Sequence, residues 1–310
     1  MALRRTRRRV DGVLLLDKPS GLTSNGALQA AKRLFDAEKA GHTGTLDPFA
    51  TGLLPLCFGE ATKFAQTLLD AQKSYVANVH FGVRTATGDI DGDVLAQAAV
   101  VFDRAALEAT LPRFRGRIAQ LPPMHSALKR DGRPYYEYAR RGIELERTPR
   151  EVDIAELVLE AWDPPCATLR VTCSKGTYIR VLAEDLGAAM GCGAHLAALR
   201  RTATGGFALA DAVTLDHLAD MPRDAREALL APVEALLATL PAIDVDAATA
   251  LSLRNGQPVA ASQVAPGMYR CRDPRSALIG VVESIAGTLR AKRLCRTDAI
   301  CAAPVVCGPT

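Results

Sequence analysis

Apolar positions in the first part of the chain predict an alternation of strands and helices. Residues 13–16 are a short apolar run that ends at a turn over 17–21, as a buried strand would. Thr23 or Ser24 then caps a helix whose apolar residues recur at helical spacing. A further strand is predicted over 73–82, because alternate residues there are apolar or aromatic. The residues on one side of this strand are Tyr75, Ala77, Val79 and Phe81.

The later part of the chain also mixes both kinds of pattern. Residues 152–162 and 167–174 predict the two strands of a hairpin, joined by a turn with two prolines. An apolar-rich helix is predicted over 225–240. The pattern then changes to short strands, beginning with 251–259. This mixture favours the α+β class, with a small β-rich domain at the end.

One twelve-residue stretch, Gly41–Gly52 (GHTGTLDPFATG), cannot be an ordinary helix or central strand. Its three glycines, three threonines and one proline set special backbone angles or bond locally to the backbone. The single acid, Asp47, precedes Pro48, which disfavours α-helical geometry at the acid. Asp47 is therefore a candidate catalytic carboxylate. The alternative is a structural turn in which Asp47 accepts hydrogen bonds from nearby backbone N–H groups.

Composition excludes several classes of protein. A chain of 310 residues, 48% hydrophobic and 23% charged, can form one large core and a small domain. It has no bilayer-length apolar run and no signal-peptide pattern, so we expect a cytoplasmic protein without membrane contact. The eight cysteines are scattered without a C-x2-C pair, which predicts reduced thiols and no metal. The acid-bearing loop over 82–92 lacks the closing glutamate of a calcium-binding EF-hand.

The net charge is only +4, but positive charge is concentrated in two places. Residues 1–10 form a basic arm with five arginines, and 113–150 holds ten Lys or Arg against four Asp or Glu. In the second segment, half of the six tyrosines lie among Lys129, Arg140 and Arg141. Arginine neutralises phosphates and aromatic planes stack on unpaired bases, so RNA is favoured over DNA as the partner. The alternative is a solvent-facing amphipathic helix with tyrosines packed beneath it.

The stretch around Asp47 closely resembles the catalytic motif of the TruB family of bacterial tRNA pseudouridine synthases. Three further segments are similar to elements of that family: the K-x-Y element at 73–75, GTYIR at 176–180 and LAALRRT at 196–202. The β-rich end of the chain resembles the PUA-type RNA-binding module that follows the catalytic domain in this family.

The resemblance implies an architecture. We expect a pseudouridine synthase catalytic core with a mixed, largely antiparallel sheet flanked by helices, plus a small PUA-like β domain. The expected divisions are a basic N-terminal arm over 1–10, a catalytic domain over 11–240 and a PUA-like RNA-binding domain over 243–310. An insertion at about 122–150 would grip the T arm of tRNA, so that no guide RNA is needed.

The chemistry implied by the resemblance is simple in its requirements. Pseudouridylation breaks the bond between ribose C1′ and uracil N1, turns the base and joins C1′ to C5. No redox change or external group is required, so we expect no cofactor. Carboxylates act at the sugar in glycosyl chemistry generally, and Asp47 is our candidate catalytic residue. By resemblance Arg180 pairs with Asp47, and its opposite charge would keep the carboxylate ionised.

The target uridine must leave its stack to reach a buried loop. The resemblance implies that Tyr75 stacks on the uracil and removes the proton at C5, while Tyr178 lines the pocket. Leu199 would form an apolar wall. His42 would pack against the opened RNA loop, although a structural hydrogen bond also explains a lone histidine there. Supporting contacts are expected from Lys18, Lys63, Lys129, Arg140 and Arg141.

Two functions from different classes are compatible with these residues. The first is an enzyme that flips uridine 55 of the tRNA T loop and isomerises it to pseudouridine. The second is a non-catalytic RNA-binding or tRNA-folding protein that uses the same basic surface. Asp47, Tyr75 and Arg180 together favour the enzyme, since pure binding needs no buried acid facing a polyanion.

Overall fold

In the computed structural model the chain is described over residues 7–126 and 128–296. Residues 1–6 of the predicted basic arm and 297–310 of the predicted C-terminal domain therefore lie outside the described part. Within the described ranges, no helix combines the length and the apolarity needed to cross a membrane.

The described ranges contain both long strands and short edge strands. The strands are β1 (Gly12–Lys18), β2 (Ala40–His42), β3 (Thr51–Phe58), β4 (Lys73–Phe81), β5 (Val83–Thr85), β6 (Val94–Gln97), β7 (Gly116–Gln120), β8 (Lys129–Arg130), β9 (Arg133–Pro134), β10 (Arg150–Asp163), β11 (Cys166–Cys173), β12 (Ala194–Thr204), β13 (Phe207–Ala208), β14 (Ala242–Asp244), β15 (Val259–Ala260), β16 (Gly267–Arg272), β17 (Leu278–Ile285) and β18 (Thr288–Leu294).

Helices in the same ranges are short, and several are single turns of 3-10 geometry. The α-helices are α1 (Ser24–Leu34), α2 (Ala65–Asp70), α3 (Arg104–Thr110), α4 (Tyr135–Ala139), α5 (Ile179–Ala189), α6 (Leu215–Asp220), α7 (Arg223–Ala228) and α8 (Ala247–Arg254). The 3-10 helices are Gly59–Lys63, Leu111–Phe114, Leu209–Asp211 and Val233–Leu237.

A nine-stranded mixed sheet forms the larger part of the fold. Seven strands follow the order β1-β3-β12-β4-β11-β10-β7, with β2 beside β3 and β13 beside β12. The β3–β12 pair is parallel and the other pairs of this sheet are antiparallel. The predicted α+β fold with a mixed, largely antiparallel sheet is confirmed. The predicted hairpin is also present, as β10 and β11.

Alternation along β4 shows how this sheet forms its core. The residues predicted to share one side of that strand are all buried: Tyr75, Ala77, Val79 and Phe81. They belong to one apolar cluster with the inner faces of α1 and α5. The first helix begins after Thr23, whose hydroxyl accepts a hydrogen bond from the Gly26 amide at 2.9 Å, as its capping role predicted.

A second, five-stranded sheet follows in the order β14-β16-β17-β18-β15, as expected of a small C-terminal β domain. It is joined to the first sheet through Glu60 and Lys63. Lys63 Nζ donates to Glu60 Oε2 at 2.6 Å and to the Leu294 carbonyl at 2.9 Å. The Arg296 amide donates to the same Glu60 oxygen at 2.8 Å. Beneath them, Val281 of β17 packs in an apolar cluster with side chains of β1 and β3.

Two predictions of local structure are wrong. The helix expected over 225–240 is interrupted, because Pro232 has no amide hydrogen for a continuous helix and only a 3-10 turn follows it. The strand expected over 251–259 is also wrong, because its first four residues are the end of α8 and the next strand begins only at Val259. The cap of α8 is Asp246, whose carboxylate accepts a hydrogen bond from the Thr249 amide at 2.7 Å.

The junction makes a prediction about stability. Burial alone raises the pKa of Glu60, but the hydrogen bonds from Lys63 and the Arg296 amide outweigh it and hold the pKa below 4.5. Glu60→Gln should lower the free energy of unfolding by about 1–3 kcal/mol, because a charge-assisted partner is lost. Urea unfolding followed by circular dichroism at pH 7 would measure this.

Because the pKa of Glu60 is lowered in the folded protein, the destabilisation caused by Glu60→Gln depends on pH. The Glu60 contribution is present above the unfolded pKa and disappears as pH falls through the lower folded pKa, so the variant and wild type should converge in acid. Glu108→Gln is the control, since its pair with Arg104 is exposed and should matter by less than about 0.5 kcal/mol. Equal destabilisation by both substitutions would contradict the junction's role.

Candidate active site

The Gly41–Gly52 loop is fixed on both sides of its acid. Ser24 Oγ, at the start of α1, donates to the Leu46 carbonyl at 3.0 Å and accepts from the Leu46 amide at 2.8 Å. After the acid, the Pro48 carbonyl accepts from Lys18 Nζ at 3.2 Å. The local turn chemistry predicted from the sequence is therefore reinforced by β1 and α1, and the carboxylate between these contacts is held in place.

Asp47 makes a bidentate ion pair with Arg180. Arg180 Nε lies 3.0 Å from Asp47 Oδ2, and Arg180 Nη2 donates to Asp47 Oδ1 at 3.2 Å. The arginine side chain is 5% exposed and the aspartate 34% exposed. Arg180 lies on the first turn of α5, immediately after the β11 strand and its turn. The fork geometry of a guanidinium thus fixes both oxygens of the carboxylate.

The electrostatics of Asp47 differ from the sequence-based expectation in one respect. Burial raises the pKa of Asp47, the Arg180 charge opposes that rise, Asp89 adds to it and Lys18 opposes it. The net direction is upward. Arg180 is therefore the partner that limits the cost of burying the carboxylate, and its charge does not push the pKa below the ordinary value.

Asp89 is a member of this network that sequence reasoning missed. Its Oδ2 lies 3.4 Å from Arg180 Nη1, and its side chain is nearly as buried as that of the arginine. Arg180 also donates to the carbonyls of Thr87 at 3.2 Å and His125 at 2.8 Å. Asp89 lies in the acid-bearing loop over 82–92, for which only a calcium site was weighed above. Its position between Gly88 and Gly92 was the signal in the sequence that could have pointed to it.

A cavity of about 900 Å³ opens onto Asp47. Tyr75 on β4, Tyr178 at the start of α5 and Leu199 on β12 all line it. Tyr178 is positioned by Gln120, whose side-chain oxygen accepts from the Tyr178 amide at 3.0 Å while its Nε2 donates to the Tyr178 carbonyl at 3.3 Å. The cavity therefore offers two aromatic rings and an apolar wall next to a carboxylate.

His42 ends β2 and lies at the same cavity. Its Nδ1 is buried and has no hydrogen-bond partner among the described residues. Burial and the nearby Arg201 charge both lower the pKa of His42, so the neutral imidazole is favoured. At this nitrogen, the structural hydrogen bond offered above as the alternative for His42 is not made within the described part of the chain.

Lys18 acts on the loop and does not line the cavity. The side chain is fully buried, and Nζ donates to the carbonyls of Pro19 at 2.8 Å, Leu22 at 2.6 Å and Pro48 at 3.2 Å. Burial lowers the pKa of Lys18 to about 8, and the Asp47 charge opposes this fall. The lysine therefore ties the strand-end turn to the loop that carries Asp47.

The other supporting residues are dispersed. Arg140 reaches the cavity, and its guanidinium lies 5.4 Å from the ring centre of Tyr136, which also lines it. Lys129 and Arg141 are exposed and lie outside the cavity lining. Lys63 is at the junction with the C-terminal sheet. Of the five, only Arg140 is brought to the cavity wall in the described structure.

Arg201 and Lys73 also line the cavity and were not singled out from the sequence. Strand periodicity offered a signal, because Leu199 and Arg201 are two residues apart and share a face of β12. In the described part of the chain, no three His, Cys, Asp or Glu side chains come together as metal ligands would. The arrangement offers a paired carboxylate, aromatic surfaces and buried cations to a planar, neutral base attached to an anionic chain.

Comparison with known families matches most of the chain. Residues 32–179 match the TruB family pseudouridylate synthase N-terminal domain. Residues 180–238 match the tRNA pseudouridylate synthase B C-terminal domain, and 241–295 match the C-terminal domain of pseudouridine synthase II TruB.

Curated relatives are similar over nearly the whole chain. The tRNA pseudouridine synthase B of Burkholderia mallei (strain ATCC 23344) is 55% identical over 303 residues, covering 96% of this chain and 97% of the relative. The protein of the same name from Azoarcus sp. (strain BH72) is 57% identical over 294 residues, covering 94% and 97%.

Solved structures share the fold. The archaeal box H/ACA sRNP Nop10-Cbf5 complex contains a chain that is 25% identical with a TM-score of 0.69, covering 91% of this chain and 85% of that one. A chain of a Cbf5-Nop10-Gar1 complex is 26% identical with a TM-score of 0.70, covering 91% and 84%. From the family matches and the identity to curated relatives, the chain belongs to the TruB family of pseudouridine synthases.

Proposed function

We propose that this pseudouridine synthase isomerises uridine 55 in the T loop of tRNA. The observation that carries the proposal is the cavity in which the Arg180–Asp47 ion pair faces two tyrosines. The printed name of the curated relatives, tRNA pseudouridine synthase B, supports tRNA as the substrate. Position 55 rests on the resemblance of the motif around Asp47.

The cavity suits a base that is no longer stacked on its neighbours in the RNA. Stacked uracil cannot reach a carboxylate held in a loop between two strands, so the nucleotide is flipped into the cavity. Tyr75 and Tyr178 then contact the faces or edges of the base, and Leu199 excludes water from one side. His42, neutral and without a partner at Nδ1 among the described residues, packs against the opened loop.

Asp47 acts at the sugar. Its carboxylate assists breakage of the C1′–N1 bond, the base turns in the cavity and C1′ is joined to C5. A glycosidase would use a second carboxylate as the acid for its leaving group. Here the base is recaptured, and the second acid nearby, Asp89, is engaged by Arg180 at 3.4 Å. The residues therefore suit an isomerisation better than a hydrolysis.

Binding of the tRNA is assigned to surfaces outside the cavity. The basic arm over 1–10, the insertion at 122–150 and the PUA-like domain over 243–310 would contact the RNA backbone and the T arm. Support comes from Arg140, which lies over Tyr136 at the cavity edge, a pairing that suits both phosphate and base contact. With such an insertion, the enzyme selects the T arm without a guide RNA.

The proposal predicts that binding and catalysis separate at Asp47. Asp47→Asn should reduce pseudouridine formation in an unmodified tRNA transcript by at least about 10³-fold, because the carboxylate is removed while the shape is kept. Affinity for the same transcript should stay within a few-fold. Chemical mapping of pseudouridine in the T loop, with filter binding in parallel, would measure both.

Asp17→Asn is the matched control, since Asp17 is a carboxylate in an exposed pair with Arg200, with 2.7 Å between Asp17 Oδ2 and Arg200 Nη2. It should leave conversion unchanged. Tight binding by wild type without any conversion would overturn the catalytic proposal and favour an RNA-folding protein. Conversion at another uridine would overturn position 55 alone.

His42 should matter less than Asp47. We expect His42→Ala to slow conversion by about 10- to 100-fold, because the flipped loop loses a packing surface while the carboxylate remains. Single-turnover rates of the two variants at pH 7 would compare them. Complete loss of conversion in His42→Ala, equal to that in Asp47→Asn, would refute this ranking.

A further inference from the structure

Arg201 is the largest side chain among those that are fully buried in the described structure, with 1% exposure. Arg200, its neighbour, points the other way and pairs with Asp17 at the surface. A buried guanidinium is costly unless its donors and its charge are satisfied. The partners of Arg201 therefore indicate what it does.

Two carbonyls of the catalytic loop region take up hydrogen bonds from Arg201. Its Nε donates to Leu53 at 2.7 Å and its Nη2 to Gly44 at 3.0 Å. Gly52, at φ +100°, allows the backbone of Arg201 to approach so closely that an added Cβ would lie 2.3 Å from the Arg201 carbonyl oxygen. Arg201 thus sits against both ends of the Asp47 loop.

The charge of Arg201 is not matched by a carboxylate in the described part of the chain. Arg180 has two acids, Asp47 and Asp89, whereas the ion pairs among the described residues give Arg201 no carboxylate. Carbonyl dipoles satisfy N–H donors but do not neutralise a cation. A nearby group that could become an anion would therefore be stabilised.

Tyr75 is that group. It is the antiparallel partner of Arg201 across β4 and β12, so the two side chains share a face and both line the cavity. Burial raises the pKa of Tyr75 and the net direction is upward, so the charge and hydrogen bonding of Arg201 limit that rise. Cys173 and Asp47 are the other titratable groups that act on the phenol, and both raise its pKa.

We propose that Arg201 is a positioning residue for removal of the C5 proton: it holds the Tyr75 oxygen as an acceptor and stabilises its phenolate. The inference rests on the proposed isomerisation, in which Tyr75 takes the proton from C5. Arg201 acts through Tyr75 and does not touch the base. Its contacts with Gly44 and Leu53 keep the guanidinium at a fixed distance from the loop that carries Asp47.

The step balances without any co-reactant. After C1′ has joined C5, that carbon carries both C1′ and its original hydrogen, and N1 is doubly bonded to C6. The Tyr75 phenolate takes the proton, the C5–H electron pair becomes the C5=C6 bond, and the former N1=C6 pair moves to N1. N1 then takes a proton from water, and the phenol returns its proton to solvent.

Deuterium at C5 of the target uridine tests this step. Arg201→Lys keeps a positive charge but removes the planar guanidinium group. Single-turnover conversion should therefore fall about 10- to 100-fold. The C5 step should then limit the rate, and deuteration should slow the variant by at least about twofold more than it slows wild type. In a Tyr75→Phe background, Arg201→Lys should add little further slowing.

Arg200→Lys is the control and should match wild type in rate and isotope effect. Slowing by Arg201→Lys with an unchanged isotope effect would mean that Arg201 only shapes the loop, and would overturn the proposal. Failure of wild type to form pseudouridine would instead overturn the proposed isomerisation. The two failures are therefore distinguishable.

A second measurement needs no change at Arg201 and no activity. Arginine ¹⁵N spectra of wild type and Tyr75→Phe should differ at the guanidinium resonances of Arg201, because the Tyr75 oxygen that hydrogen-bonds with it is removed, and agree at those of Arg200. Unchanged Arg201 resonances would overturn the pairing even if Arg201→Lys does not fold.

Discussion

The ion pair between Asp47 and Arg180 is the constraint on which the rest of the structure depends. Asp47 lies largely buried at the cavity, and burial opposes the charge of its carboxylate. Arg180 offsets that cost with two contacts of about 3 Å, but the two residues lie 133 positions apart. The nine-stranded sheet brings them together, since the loop precedes β3 and the arginine follows β11. Lys18, Ser24 and Gln120 serve the same end by fixing the segments that carry the pair and Tyr178.

The other buried cations near this pair donate their hydrogen bonds to backbone carbonyls, not to carboxylates. Lys18 donates to three carbonyls, Lys73 donates to those of Leu68, Leu69 and Ala71, and Arg201 donates to two. Because carbonyls satisfy donors without cancelling charge, the interior beside the cavity stays positive. That field suits a substrate whose base is neutral and whose backbone is anionic. It also leaves Arg180 as the cation that pairs with carboxylates of the cavity, those of Asp47 and Asp89.

Sequence reasoning used most local signals correctly, missed two of them, and could not reach contacts between distant residues. The Thr23 cap, the alternation around Tyr75 and the stiff loop around Asp47 follow from neighbouring residues. The helix over 225–240 failed at Pro232, and the 251–259 strand failed because the cap at Asp246 lies outside the apolar pattern. Asp89 and Arg201 required the fold, since nothing local distinguishes Arg201 from Arg200 except the two-residue step from Leu199. The sheet register decides which of these side chains lie at the cavity.

The position of Lys63 shows why a residue beside a catalytic motif need not belong to the site. Expected to support substrate contact, it instead joins Glu60 to the last strand of the C-terminal sheet. The contacts beneath it are apolar and buried, with Val281 among residues of β1 and β3. The hydrogen bonds of Lys63 and the apolar cluster beneath them hold the two sheets against both lateral movement and separation. Lateral movement would break the directional hydrogen bonds and expose the apolar side chains. The spacing between the C-terminal sheet and the cavity is therefore built into the fold, and an RNA that touches both must match that spacing by its own shape.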